Sequence, residues 1–79
     1  NPKAVQTTKV SLFTKPGCPH CARAKTLLAK QGLSFDELTL GDEISISAMR
    51  AITNADTVPQ VFIDGKHIGG ADDLEKYFS

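Results

Sequence analysis

The chain has 79 residues, nine Lys plus Arg against nine Asp plus Glu for a formal net charge of +0, and 41% hydrophobic residues. That is one small domain, near the lower limit at which a core suffices without metal or disulfide staples. The charge balance leaves no footprint for nucleic acid or an anionic membrane, no apolar run can span a bilayer, and the first residues lack a signal-peptide pattern, so a soluble cytoplasmic protein, monomeric as an isolated domain, is expected.

Residues 1–8 are polar, hold Pro2 and show no sustained periodicity; they read as a tail or linker before one domain over residues 9–79. The start at Asn1 rather than Met fits a trimmed or processed product or a piece of a longer protein. Lys9 to Thr14 is apolar and β-branched, with Val10 and Leu12 alternating with Ser11 and Phe13, and predicts a mostly buried strand. Pro16-Gly17 breaks it. The helix that follows carries Cys21, Ala24, Leu27 and Leu28 on one face and Arg23, Lys25, Thr26 and Lys30 on the other, and Gly32 ends it. Ser34 to Leu40, where Phe35, Leu38 and Leu40 alternate imperfectly with Asp36, Glu37 and Thr39, predicts a second strand. Strand, helix and strand then form a βαβ unit with parallel strands and a right-handed crossover.

After Gly41-Asp42, the helical spacing of Ile44, Ala48 and Ile52, joined by Met49, predicts a second helix with Met49 as core filler. Thr57-Val58-Pro59 leads into a short apolar strand, Gln60 to Ile63. Asp64-Gly65 is the strongest hairpin signal in the chain and turns it into a partner strand, Lys66 to Ile68. Gly69-Gly70 ends the hairpin, and Asp72-Asp73 opens a last short helix with Leu74, Tyr77 and Phe78 as its apolar face. The order is βαβ, helix, β-hairpin, helix: an α/β domain.

Both cysteines lie in Lys15-Pro16-Gly17-Cys18-Pro19-His20-Cys21. Two cysteines this close are not the framework of a secreted mini-protein; such a pair is redox-active or metal-binding. Residues three apart on one turn share a side, which puts the two Cα atoms within disulfide range, roughly 5–6 Å. Pro19 suits the first helical position, so Cys18 is the N-cap and accepts the N–H groups of His20 and Cys21. Those donors, the helix dipole and nearby Lys15 favour a thiolate. Cys18 is therefore the expected nucleophile and Cys21, one turn inside, the resolving thiol.

Other residues stay open between two readings. Lys15 is a solvated surface lysine or the cation that stabilises the thiolate and meets a substrate carboxylate. His20 is a polar helix residue or an imidazole that tunes Cys18. A zinc site would need ligands beyond the two cysteines, and only His20 and His67 are on offer, with His20 turned away; no metal is expected. His67 reads as simply exposed, Pro59 as an ordinary strand-start proline, and the start of the last helix as a plain cap or an anion site.

Thr14 to Cys21, Thr57 to Ile63 and Gly69-Gly70-Ala71-Asp72-Asp73-Leu74, in this order and spacing, resemble a dithiol glutaredoxin, and the likeness covers nearly everything from Lys9 onward. Ser34 to Leu40, Lys66 to Gly70 and the polar lead are similar to the glutaredoxin module fused behind a peroxiredoxin domain in some bacterial hybrid peroxidases. The resemblance implies a thioredoxin fold with a four-stranded mixed sheet. It implies a glutathione-dependent thiol–disulfide oxidoreductase that reduces glutathione mixed disulfides and protein disulfides, with glutathione as co-substrate and a peroxiredoxin as one candidate partner.

By the same resemblance Pro59 is cis and faces Cys18, so that the Val58 backbone pairs with the glutathione peptide like an added strand. Lys15 would meet the glycine carboxylate, and Gly70, Ala71 and Asp72 the γ-glutamyl end. Thr57 and His20 would border the groove, and Gln60 is a weaker candidate for a carboxylate contact. The chain departs from the common pattern at His20, usually tyrosine, and at Ala71, frequently cysteine. Three rivals remain: a thioredoxin-like donor reduced by a flavoprotein reductase, disfavoured because no Trp precedes Cys18; a module holding an iron–sulfur cluster with external glutathione, disfavoured by Pro19; and an inert interaction domain.

Overall fold

A computed structural model describes residues 8–79, so the expected polar lead, Thr8 apart, lies outside the described residues. In chain order the elements are β1 (Val10–Thr14), α1 (Pro19–Lys30), β2 (Asp36–Thr39), α2 (Ile46–Thr53), β3 (Gln60–Ile63), β4 (Lys66–Gly69) and α3 (Ala71–Phe78). Among the described residues the strands form one mixed sheet, ordered β2-β1-β3-β4. β1 is parallel to β2 and antiparallel to β3, and β3 is antiparallel to β4. This is the expected thioredoxin fold.

Because strand side chains alternate, Val10 and Leu12 of β1 share a face with Val61 and Ile63 of β3. Ala24 and Leu28 of α1 and Ala71 and Leu74 of α3 complete that core. Leu12, Leu28 and Leu74 are fully shielded, and each such burial is worth about 1.5–3 kcal/mol over leaving the side chain in water. The other face carries Phe13 and Phe62, whose ring centroids lie 5.6 Å apart.

Local chemistry sets the element ends. At the end of α1 the Gly32 N–H donates to the Ala29 carbonyl at 3.0 Å and the Leu33 N–H to that of Leu28 at 3.1 Å, a Schellman closure that needs the φ of +72° found at Gly32. In the hairpin, Asp64 and Gly65 both have positive φ, 52° and 82°, as a two-residue turn between twisted strands requires. The β3–β4 ladder then shifts register between Val61 and Phe62.

Two expected faces are corrected. Ile44 lies outside α2, in an isolated bridge with Leu40, because Ser45 caps that helix by accepting the Ala48 N–H at 3.1 Å. Starting at Ile46, the short helix buries Met49 and Thr53, one turn apart, and leaves Ile52 57% exposed. Thr53 tolerates burial because its hydroxyl donates to the Met49 carbonyl at 2.7 Å. Of the expected apolar face of α3, Leu74 and Phe78 turn inward, whereas Tyr77 is exposed and meets Phe78 edge-on. Among the described residues no helix is long and apolar enough to cross a membrane.

The antiparallel pairings bring the end of β1, the start of β3 and the end of β4 to one end of the sheet. The cysteine turn, the Pro59 loop and the start of α3 therefore converge there.

Candidate active site

Gly17, at φ +74°, turns the chain out of β1, and Cys18 caps α1 with Pro19 in the first helical position. The Cys18 Sγ accepts the Cys21 N–H at 3.4 Å. Partial burial opposes ionisation of Cys18, but hydrogen bonds from the Cys21 thiol and from the Cys21 and His20 N–H groups, together with the Lys15 charge, outweigh it. They hold its pKa below the usual thiol value of 9.0. Cys21 goes the other way. It is 2% exposed, and burial, with its own hydrogen bond to Cys18 and the charge there, pushes it up to about 11 against weaker relief from the Lys15 backbone and Lys25. The site thus pairs a half-buried thiol whose ionisation is favoured with a buried one that keeps its proton, an arrangement suited to nucleophilic attack by the first.

The Val58–Pro59 bond is cis, as the resemblance implies, and Pro59 is buried. The Cys18 Sγ lies 3.8 Å from the Val58 carbonyl oxygen across the groove. A hollow of about 280 Å³ next to Cys18 is lined by Lys15, Ile46, Asp56, Thr57 and Val58. A larger one of about 580 Å³ runs from His20 and Pro59 to Gly70 and Asp72 at the start of α3. All ten residues singled out for the site line one of these hollows or a third, of about 440 Å³, that opens between Cys21, Lys25 and Glu37.

Three details qualify or extend the sequence reading. The Ala71 side chain belongs to the core, so at the groove this residue offers backbone only. Gln60 is buried and bonded to Thr57 and His67, which leaves it no free amide for a carboxylate. His67 is exposed, as expected, and in addition bonds to Gln60 at 2.7 Å and stacks on Phe62.

The sequence reading also passed over Arg23, which pairs with Asp72. That contact ties α1 to the start of α3, and it holds the Asp72 carboxyl below its usual range. Nothing local marks a pair so far apart in sequence. On the far side of Cys21, Glu37 accepts the Thr14 hydroxyl at 2.5 Å and pairs with Lys25 at 2.9 Å. The first of these bonds, then the second, lowers its pKa. Among the described residues no group of three or more His, Cys, Asp or Glu converges in a way that would hold a metal ion.

Comparison with known proteins gives a consistent result. A family model described as Glutaredoxin matches residues 10–68. The chain is 63% identical over 70 residues to the hybrid peroxiredoxin hyPrx5 of Haemophilus influenzae, a match that takes in 89% of this chain but only 29% of that protein's length. It is 48% identical over 66 residues to glutaredoxin 3 of Escherichia coli K12, covering 82% of this chain and 80% of the relative. Among solved structures, a buckwheat glutaredoxin in complex with glutathione superposes with a TM-score of 0.76 at 36% identity, over 91% of this chain and 70% of that one.

Proposed function

The chain belongs to the glutaredoxin family, and on that premise we propose that it is a glutathione-dependent thiol–disulfide oxidoreductase in which Cys18 is the nucleophile and Cys21 the resolving thiol. The observation that carries this reading is the position of Cys18: an N-cap thiol of lowered pKa facing the Val58 carbonyl at 3.8 Å over a cis-proline loop.

With a glutathione mixed disulfide, the Cys18 thiolate attacks the glutathione sulfur. The old S–S bond breaks, the substrate leaves as a thiolate that takes a proton from water, and Cys18 carries the glutathione. A second glutathione thiolate then attacks that sulfur, releasing glutathione disulfide and restoring Cys18. With a protein disulfide, the Cys18 thiolate attacks one substrate sulfur, the substrate S–S bond breaks, and the other sulfur leaves as a thiolate that takes a proton from water. Cys21 then loses its proton and attacks Cys18, the reduced substrate departs, and two glutathione molecules reduce the Cys18–Cys21 disulfide.

The groove supplies the contacts that glutathione chemistry asks for. Lys15 stands by Cys18 as a cation for the glycine carboxylate, the Val58 backbone pairs with the cysteinyl peptide as an added strand, and Thr57 and His20 flank it. At the start of α3 the backbone N–H groups of Ala71 and Asp72 meet the γ-glutamyl carboxylate, Gly70 lines the site with its own N–H held by Asp73, and the Asp72 carboxylate faces the ammonium in competition with Arg23. A peroxiredoxin is the protein substrate this reading favours, on the similarity to hyPrx5, and the cytoplasm, where glutathione keeps thiols reduced, is its compartment.

One assay tests the reading: reduction of a glutathione mixed disulfide with glutathione, and separately with thioredoxin reductase, as electron source. Turnover with glutathione alone is expected. Turnover only with the reductase would overturn the proposal in favour of a thioredoxin-like donor.

A further inference from the structure

A hydrogen-bond chain along the wall of the groove, from His67 through Gln60 to Thr57, holds its floor. Gln60 is 5% exposed, and its Nε2 donates to the Thr57 carbonyl at 2.9 Å and to Thr57 Oγ1 at 3.3 Å. A carbonyl oxygen only accepts, so the Gln60 amide has one orientation, with Oε1 turned to His67 Nε2 at 2.7 Å. Oε1 also only accepts. The His67 proton must therefore sit on Nε2, and both the neutral ring in that tautomer and the imidazolium can donate it. Stacking on Phe62, with centroids 4.9 Å apart and planes at 24°, fixes the plane of the ring.

We infer that His67 is a positioning residue for the glutathione groove, acting through Gln60 on the Thr57–Val58 peptide. The only cis bond among the described residues is Val58–Pro59, so the Thr57–Val58 peptide is trans, and its carbonyl and its N–H point in opposite directions. Tethering the Thr57 oxygen to Gln60 turns the Val58 N–H away from Gln60. The next oxygen along, that of Val58, is the one facing Cys18. Pro59 has no N–H with which to anchor this loop, so the side chain of Gln60 does it, held in turn by His67. A backbone edge preset in this way costs a strand-like ligand less to bind. The effect belongs in substrate binding, with the reactivity of Cys18 unchanged.

The inference rests on the glutathione reading above, and two variants separate the donor from the ring. His67→Phe keeps a ring to stack on Phe62 and removes the donor; His67→Gln keeps a donor at nearly the same reach and removes the ring. His67→Phe should raise KM for a glutathione mixed disulfide about three- to tenfold, the size of one neutral hydrogen bond, with kcat and the pH profile of Cys18 alkylation unchanged. His67→Gln should stay within about twofold of wild type. Nitrogen-15 correlation spectra of the wild-type imidazole should place the neutral-ring proton on Nε2.

A proton on Nδ1 overturns the chain whatever the kinetics, and needs no variant to fold. Unchanged KM in His67→Phe overturns the positioning role. So does a His67→Gln variant as impaired as His67→Phe, because that marks the ring as the part that matters. A wild-type protein that does not reduce the mixed disulfide with glutathione overturns the glutathione reading and the positioning role with it, a result distinct from a variant effect.

Discussion

Cys18 accepts the backbone N–H of Cys21 at 3.4 Å, and the two thiols that share this turn titrate in opposite directions. Burial works against ionisation at both sites. At Cys18 the thiol and N–H donors and Lys15 prevail, whereas at Cys21 nothing of that strength offsets it, so one thiol falls below 9.0 and the other rises to about 11. One helix end thus holds a thiol whose ionisation is favoured beside one whose ionisation is opposed, as the proposed roles of nucleophile and resolving thiol require.

Alkylation should separate them. Cys18 should react with iodoacetamide along a pH profile whose midpoint lies below 9.0, and Cys21 should stay unlabelled until the pH approaches about 11. Mass spectrometry of the labelled peptide reads both. Labelling of Cys21 ahead of Cys18 near neutral pH would reverse the proposed roles.

The same division predicts different fates for two serine variants. Cys21→Ser should keep most reduction of a glutathione mixed disulfide, because that route needs one thiol, and should lose reduction of protein disulfides. Cys18→Ser should lose both. A Cys21→Ser protein inactive on the mixed disulfide would show that the dithiol route is obligatory.

Lys15→Ala removes a cation that lowers the Cys18 pKa, though the hydrogen bonds act more strongly there. The alkylation midpoint should move up, and KM for the glutathionylated substrate should rise by about three- to tenfold for one lost charge-assisted contact at an exposed site. A titration and a KM both matching wild type would remove Lys15 from the mechanism.

Much of this site was legible in the sequence because its signals are local. Pro19 after Cys18 marks the cap, Gly17 before it marks the turn, and Asp64-Gly65 specifies the hairpin. Short-range pattern failed where a longer-range choice decides. Ile52 has helical spacing from Ile44, but the Ser45 cap sets where α2 starts and hence which face it buries. Arg23 with Asp72, and Gln60 with both Thr57 and His67, meet only once the sheet brings the ends of β1, β3 and β4 together. No periodicity encodes those pairs.

Gly69 is one residue whose need becomes visible only in the structure. Its φ is +119°, and an added Cβ would fall 2.4 Å from Asp73 Oδ2, the atom that accepts the Gly70 N–H at 3.1 Å. Gly69→Ala must strain the backbone and also expel that carboxylate from the start of α3, for a loss of about 2–4 kcal/mol. Gly32→Ala meets open space and should cost only the left-handed backbone penalty, about 1–2 kcal/mol. Urea unfolding of the two variants tests the ranking, and equal losses would count against a capping role for Asp73.

Glu37 offers a pH test of the network beyond Cys21. The Thr14 hydroxyl, then Lys25, stabilise its carboxylate and lower its folded pKa from 4.5. A depressed carboxyl pKa adds stability that is present above the unfolded value and is lost as pH falls through the folded one. Glu37→Gln should therefore be less stable than wild type at pH 7, and the gap should close as pH falls below about 4.5. With side chains 32% and 38% exposed for Glu37 and Lys25, solvent screening limits the gap to about 1 kcal/mol. Urea midpoints at pH 7 and pH 3 measure it. A gap of equal size at both would mean that the shape of the Thr14 hydrogen bond matters and the charge of Glu37 does not.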